Sequence, residues 1–443
     1  MGKKRSNELR KQRIHRLIMK TVRGPNLGYC REQTNRGNFY KHSIYKMKIK
    51  LLLSVVCCSM VLAGTAQNNT RVQPDRMMLT WSANPATTQS VSWRTTGAGT
   101  KIVAQIVEEE SSPELEKAAK TISGVALPWR RENGIDDYYG QVTFSDLKPG
   151  TVYTYRVGDG TQWSAWNQFR TADLTGDFSF IYLGDAQNDL RSRWSRTIRR
   201  SFQQEPNARF IVHAGDLINR SNTDSEWEEW YEGAGFIHQM IPAVPTPGNH
   251  EYRRDSLEQL VLDPHWKVQF NLPKNGPEGL QEAVYYMDYQ DLRVISLNSQ
   301  MIMLDSVAAA TQERWLDETL ASSTKKWNIV VMHHPVYSTA KNRDNTILRE
   351  RFRPIFEKYG VDLVLQGHDH TYARGTAGKK KPVYLLSVAG PKMYTSDSDR
   401  WMEKSGSNVQ LYQVIRITDK KLYYSSYQLN GKLFDSFELS KVK

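Results

Sequence analysis

Residues 361–370 read VDLVLQGHDH, a mostly apolar run that stops at Gly367-His368-Asp369-His370. Three other runs have the same shape. FSFIYL (178–183) stops at Gly184-Asp185, RFIVHA (209–214) at Gly215-Asp216, and NIVVM (328–332) at His333-His334. Near-continuous Val/Ile/Leu/Phe runs suit strands buried on both faces. They alternate with helical stretches over 176–443, which predicts an α/β domain. A fifth element, PAVPTP (242–247), runs into Gly248-Asn249-His250-Glu251. In such sheets ligands collect beyond the carboxyl ends of the strands, so these endings are where chemistry is expected.

Taken one at a time, the endings have ordinary explanations. An Asp after a strand-ending Gly usually makes a turn or caps a helix. Their conjunction points elsewhere. Asp185, Asp216, Asn249, His250, His333, His368 and His370 all stand where strands terminate. Oxygen donors combined with neutral imidazoles suit Fe, Zn or Mn, and two aspartates partly neutralise two divalent ions. The expectation is a site for two divalent transition-metal ions, their identity open.

Upstream, residues 71–172 change character. MMLTWSA, SVSWRTT, KIVAQIVE, GQVTFSDL, TVYTYRVGDG and WNQFRT are short β-type runs. In TVYTYRV, Val152, Thr154 and Arg156 alternate with Tyr153, Tyr155 and Val157, the period of a half-buried strand. Leu147-Lys148-Pro149-Gly150 before it is a turn signal. The segment resembles an all-β fibronectin-type-III sandwich with Trp93 in its core.

The N-terminus accounts for the charge. The chain has a formal net charge of +13, and residues 1–50 hold fifteen Lys/Arg against Glu8 and Glu32. The rest carries 45 basic and 45 acidic side chains, so no electrostatic case exists for a nucleic-acid partner. Cys30, Cys57 and Cys58 lie in the same region, which excludes thiolate metal sites and cysteine nucleophiles from the body. MKIKLLLSVVCCSMVLAGTA (47–66) reads as a signal peptide with cleavage before Gln67. Its apolar stretch is shorter than the ~20 residues of a membrane-spanning helix. Residues 1–46 are a basic leader expected to be absent from the mature protein, with translation starting at Met47. The alternative is an uncleaved anchor with a basic tail. Either way the body is expected to be exported, periplasmic or extracellular, with no transmembrane segment in the mature protein.

GDAQ, GDLI, GNHE, MHHP and GHDHTYAR, in that order, resemble the five blocks of the calcineurin-like metallophosphoesterases. With the preceding sandwich, the chain looks like the purple acid phosphatase branch. The resemblance implies an α/β/β/α sandwich after the all-β domain. It implies that Asp185 binds the first metal, Asp216 bridges both, and His370 serves the first. Asn249, His333 and His368 would complete the second, with Asn249 and His250 facing the substrate. Two metals can hold a hydroxide and clamp the phosphoryl oxygens of an in-line displacement. His250 can then protonate the leaving oxygen.

The sequence departs from that pattern in two places. Where related phosphoesterases place a His, two residues after the first Asp, Gln187 stands. Where purple acid phosphatases place a Tyr, three residues after the bridging Asp, Asn219 stands. Either amide oxygen could complete the first metal. The loop Ser338–Glu350 lacks the substrate-facing histidines of that branch and offers Lys341 and Arg343 as phosphate-binding cations instead. Asp369 reads as support for its neighbouring ligands. His334, His213, His238 and His265 read as structural, Trp227 and Trp230 as a buried helix face, and Lys379-Lys380-Lys381 as a solvated hairpin tip.

The function expected is an exported phosphomonoesterase acting on small-molecule phosphate esters. The alternatives are a phosphodiesterase or nucleotide hydrolase on the same metal core, or a non-catalytic glycan- or protein-binding module.

Overall fold

The computed structural model describes residues 73–95, 101–378, 381–396 and 401–441. They fall in one compact unit, Arg71–Lys443. The leader at 1–46, the signal at 47–66 and Lys379-Lys380 lie outside the described residues. Among the described residues no helix is long and apolar enough to cross a membrane.

Eight strands form the first part: β1 (Asp75–Thr80), β2 (Gln89–Thr95), β3 (Val103–Glu108), β4 (Lys120–Ser123), β5 (Val125–Arg130), β6 (Asp136–Phe144), β7 (Val152–Gly158) and β8 (Asn167–Arg170). They pair antiparallel into two sheets, β1-β2-β6-β5 and β4-β3-β7-β8. Trp93, Val91, Phe144, Tyr155 and Phe169 fill the core between them. Sequence patterning did not single out β4 and β5. Both are edge strands with largely exposed side chains, and Pro128 in β5 suits an edge, so neither carries a strong apolar signal.

The second part holds two mixed sheets. In the first, β9 (Phe178–Leu183), β10 (Ile211–His213) and β11 (Ala243–Pro245) run parallel. An antiparallel extension built from the last three strands of the chain adds to β9. In the second, β12 (Leu292–Leu297), β13 (Trp327–Met332), β14 (Leu363–Gln366) and β15 (Val383–Leu386) are parallel neighbours. Alternate residues of β13 and β14 face opposite layers, as the strand period demands. Ile329, Val331, Leu363 and Leu365 join a core shared with Phe180, Ile211 and Val212 of the other sheet. Val330, Met332 and Val364 pack instead with Leu316 and Leu320 of the helix Ser306–Ala321. The sheets therefore lie face to face with helices outside. Their parallel strands all end at the same edge, where chain segments widely separated in sequence meet.

Candidate metal centre

Five of the seven parallel strands deliver donors at their carboxyl ends. Asp185 follows β9, Asp216 follows β10, Asn249 and His250 follow β11, His333 follows β13, and His368 and His370 follow β14. The glycines before these residues matter because the ends crowd together. A Cβ on Gly248 would sit 2.2 Å from Asp216 Oδ1. One on Gly215, whose φ is +86°, would sit 2.6 Å from His333 Nδ1. Asp185, Asp216, His368 and His370 themselves adopt positive φ, a conformation that L-residues hold only when their surroundings compel it.

The donors gather into two groups that share one carboxylate. Asp216, His333 and His368 form one, Asp185, Asp216 and His370 the other, with ligand atoms within 4.8 Å of each other in each. His333 Nε2 lies 3.1 Å from Asp216 Oδ2, Asn249 Oδ1 and His368 Nδ1 alike. His370 Nε2 stands 3.9 Å from Asp185 Oδ1. Far-side contacts set the tautomers. His333 Nδ1 donates to the Ala214 carbonyl at 2.9 Å and His370 Nδ1 to the Lys392 carbonyl at 2.9 Å, so each presents Nε2 inward as the atom a metal would take.

The charge balance tests the fit to metal ions. Asp185 and Asp216 are fully buried, and among the described residues neither pairs with a Lys or Arg. Two buried carboxylates without cations are costly. Burial, with the neighbouring Asp216 charge, pushes Asp185 up to about 8. Burial also acts to raise Asp216, but His333 outweighs it and holds that carboxyl well below the usual range. Burial works against protonation of His333, yet Asp216 and Asp185 push it up to about 9. Burial and the adjacent His334 and His333 drive His368 far down. Burial followed by Lys392 takes His370 down to about 4. The pocket thus holds its two carboxylates by keeping protons on Asp185 and His333, protons that bound cations would replace, and its oxygen and imidazole donors fit two divalent ions.

The five sequence blocks belong to recognised families. Residues 171–372 match the calcineurin-like phosphoesterase model, and residues 74–171 match the purple acid phosphatase N-terminal domain. Residues 171–372 are a calcineurin-like phosphoesterase domain. The acid phosphatase type 7 of Mus musculus is 26% identical over 339 residues, covering 70% of this chain and 72% of its own length. Purple acid phosphatase 1 of Ipomoea batatas is 26% identical over 273 residues, covering 58% and 56%. Among solved structures, the purple acid phosphatase PPD1 of yellow lupin superposes with a TM-score of 0.70 at 17% identity, over 83% of this chain and 74% of that one. By class this phosphoesterase is a metal-dependent phosphatase, and a dinuclear centre goes with the family.

Other expected residues of the phosphoesterase sit as follows. His250 Nδ1 donates to the Asn219 carbonyl at 2.6 Å, which leaves Nε2 facing Asp216 Oδ2 at 3.9 Å, and the side chain is 26% exposed. Asn219 thus contributes through its main chain. Gln187 is buried and donates through Nε2 to Asp216 Oδ2 at 2.6 Å, turning its oxygen toward Lys392. Arg343 Nη1 pairs with Asp369 at 2.5 Å, because that fully buried carboxylate needs a cation. Asp369 also accepts from Ser338 Oγ and the Thr339 N–H, both at 2.7 Å, tying this loop to the ligand segment. Lys341 is exposed, and among the described residues no contact ties it to the centre.

The histidines set aside by sequence are packed as structure. His334 Nδ1 accepts from Ser299 Oγ at 3.0 Å. His213 is buried against Trp230 and His238, and burial lowers it to about 3. Trp227 and Trp230 line the buried face of the helix Asp224–Ala234. One functional residue was overlooked although it stands inside GNHE. Glu251 accepts the N–H groups of Asp216 at 2.9 Å, Leu217 at 2.7 Å and Gly248 at 2.6 Å, holding the shared ligand from behind. Burial, with the charge of Asp216, pushes it up to about 7.

Proposed function

We propose that this chain is an exported phosphomonoesterase, with an all-β fibronectin-type-III-like domain at 71–172 and a catalytic domain at 176–443. One metal would be held by Asp185, Asp216 and His370, the other by Asp216, Asn249, His333 and His368. The observation that carries the reading is the pair of donor groups sharing Asp216, with the half-open His250 beside them. When bound, the two ions supply positive charge to the transferring phosphoryl group and lower the pKa of the attacking water.

The chain's own residues do the rest. Water gives up a proton to solvent and adds to phosphorus as the ester P–O bond breaks, and the leaving oxygen needs a proton. His250 supplies it from Nε2, since Nδ1 is committed to the Asn219 carbonyl. Asn249 and His250 face the substrate, while Arg343 acts through Asp369 on the loop that borders it. Gln187 holds Asp216 by a hydrogen bond. Export rests on the signal at 47–66.

A panel of phosphate mono- and diesters, assayed with added Fe, Zn or Mn and again after chelation, tests the reading. Monoesters should be hydrolysed fastest, and only with metal. Faster diester turnover would make the protein a phosphodiesterase, and no turnover with two metals bound would make it a binding module. A mature N-terminus other than Gln67 would defeat the cleavage reading, and recovery of the body from the cytoplasm would defeat the export reading.

A further inference from the structure

The loop that sequence reasoning searched for phosphate-binding cations leaves the centre short of them. Arg343 is committed to Asp369, and Lys341 makes no contact with the centre among the described residues. A third cation, Lys392, stands beside the first group. Lys392 accepts the His370 Nδ1 proton on its own carbonyl at 2.9 Å, one hydrogen bond from a donor of the first group. Its ammonium donates to Gln187 Oε1 at 3.3 Å, and the same carboxamide donates to Asp216 Oδ2 at 2.6 Å. Lys392 Nζ is therefore one carboxamide away from the carboxylate that both groups share.

The strap bearing it is pinned to the centre. Gly390 N–H donates to the Asp185 carbonyl at 2.7 Å and Tyr394 N–H to the His370 carbonyl at 3.2 Å. The Tyr394 ring packs on His370 with centroids 4.7 Å apart and flanks the ammonium at 5.8 Å. A lysine ammonium has three N–H donors. Among the described residues only the neutral Gln187 oxygen accepts one, and no carboxylate pairs with Lys392. A cation placed beside two divalent ions is repelled by them, and an anion bound between all three reverses that sign.

We propose that Lys392 binds the phosphate group of the substrate, replacing the histidines absent from 338–350. In the free protein Gln187 parks its ammonium. The proposal rests on the reading of the centre as a phosphate-ester site.

The test uses the full, metal-loaded chain with Lys392→Gln and Lys392→Arg. Inorganic phosphate affinity is measured by calorimetry beside metal content, Tm, and KM and kcat on an aryl phosphate. Loss of a charged hydrogen bond should weaken phosphate binding roughly tenfold or more in Lys392→Gln. KM should rise to match, metal content and Tm should hold, and Lys392→Arg should restore most of the affinity. Unchanged phosphate affinity in Lys392→Gln, with the parent protein active, overturns the proposal and leaves the function standing. Loss of metal or of Tm in that variant also overturns it, by making Lys392 structural. A parent protein that holds two metals yet neither binds nor hydrolyses phosphate removes the underlying reading instead.

Discussion

Where the sandwich meets the α/β part, Asp75, Asp137 and Asp224 face Arg76, Arg94 and Arg131. Where the sheets end, Asp185 and Asp216 meet histidines and the Gln187 amide, and among the described residues no guanidinium. At the first place Arg76 pairs with Asp224 at 2.6 Å, Arg94 with Asp75 at 2.5 Å, and Arg94 and Arg131 each reach Asp224 at 3.3 Å. Tyr139 joins Arg76 to His265, and Trp129 stacks on His265 at 4.2 Å. That cluster carries its own counter-charge and holds two parts of the chain together. The centre has no guanidinium among the described residues; without metal its balance comes from His333, which Asp216 and Asp185 push up to about 9. Burial of acids by itself thus distinguishes nothing. The presence or absence of a paired guanidinium separates a brace from a binding site.

Asp216→Asn should break the comparison most sharply. Turnover should vanish, because the shared ligand of both groups is lost. The metal-free variant should also be less stable than the metal-free parent, since Asp216 pairs with His333 at 3.1 Å and its loss takes away that histidine's main counter-charge. Calorimetric unfolding after chelation checks the second half. An unchanged Tm there would mean that Asp216 and His333 do not balance one another.

Arg76→Met should lower stability alone. It strands Asp224 with only the two longer contacts, so stability should fall by about 3 kcal/mol, while activity per folded, metal-loaded molecule stays unchanged. Denaturant titration beside a turnover assay reads both quantities. A loss of specific activity would show that the brace also shapes the centre.

Glu251→Gln should give the smallest effect and sharpen the boundary between the two kinds of site. Glu251 is a buried acid of the centre that meets backbone N–H groups rather than ions. Its amide would turn an N–H₂ toward those donors. Metal affinity should fall ~10–100-fold, as for other outer partners of metal ligands, while kcat at saturating metal changes little. Metal titrations at a single substrate concentration decide it.

Much of this was legible in the sequence, for a local reason. A buried parallel strand needs an unbroken apolar run, and its end needs a turn, so VDLVLQ before Gly367-His368 declares both strand and site edge without any partner. That is why β9, β13 and β14 lie within two residues of the expected runs, whereas the exposed edge strands β4 and β5 left no comparable mark.

The sequence by itself determined which residues stand at the strand ends, and hence the chemistry of the donors. Only the tertiary structure decided how those donors are used. It turned the Gln187 amide nitrogen toward Asp216, made Asn219 act through its carbonyl on His250, and spent Arg343 on Asp369. It also brought Lys392 to Gln187 across 205 positions of chain. The reason is physical. Side-chain orientation at a crowded edge follows from which hydrogen-bond and charge partners other strands deliver there, and spacing along one strand carries no information about them.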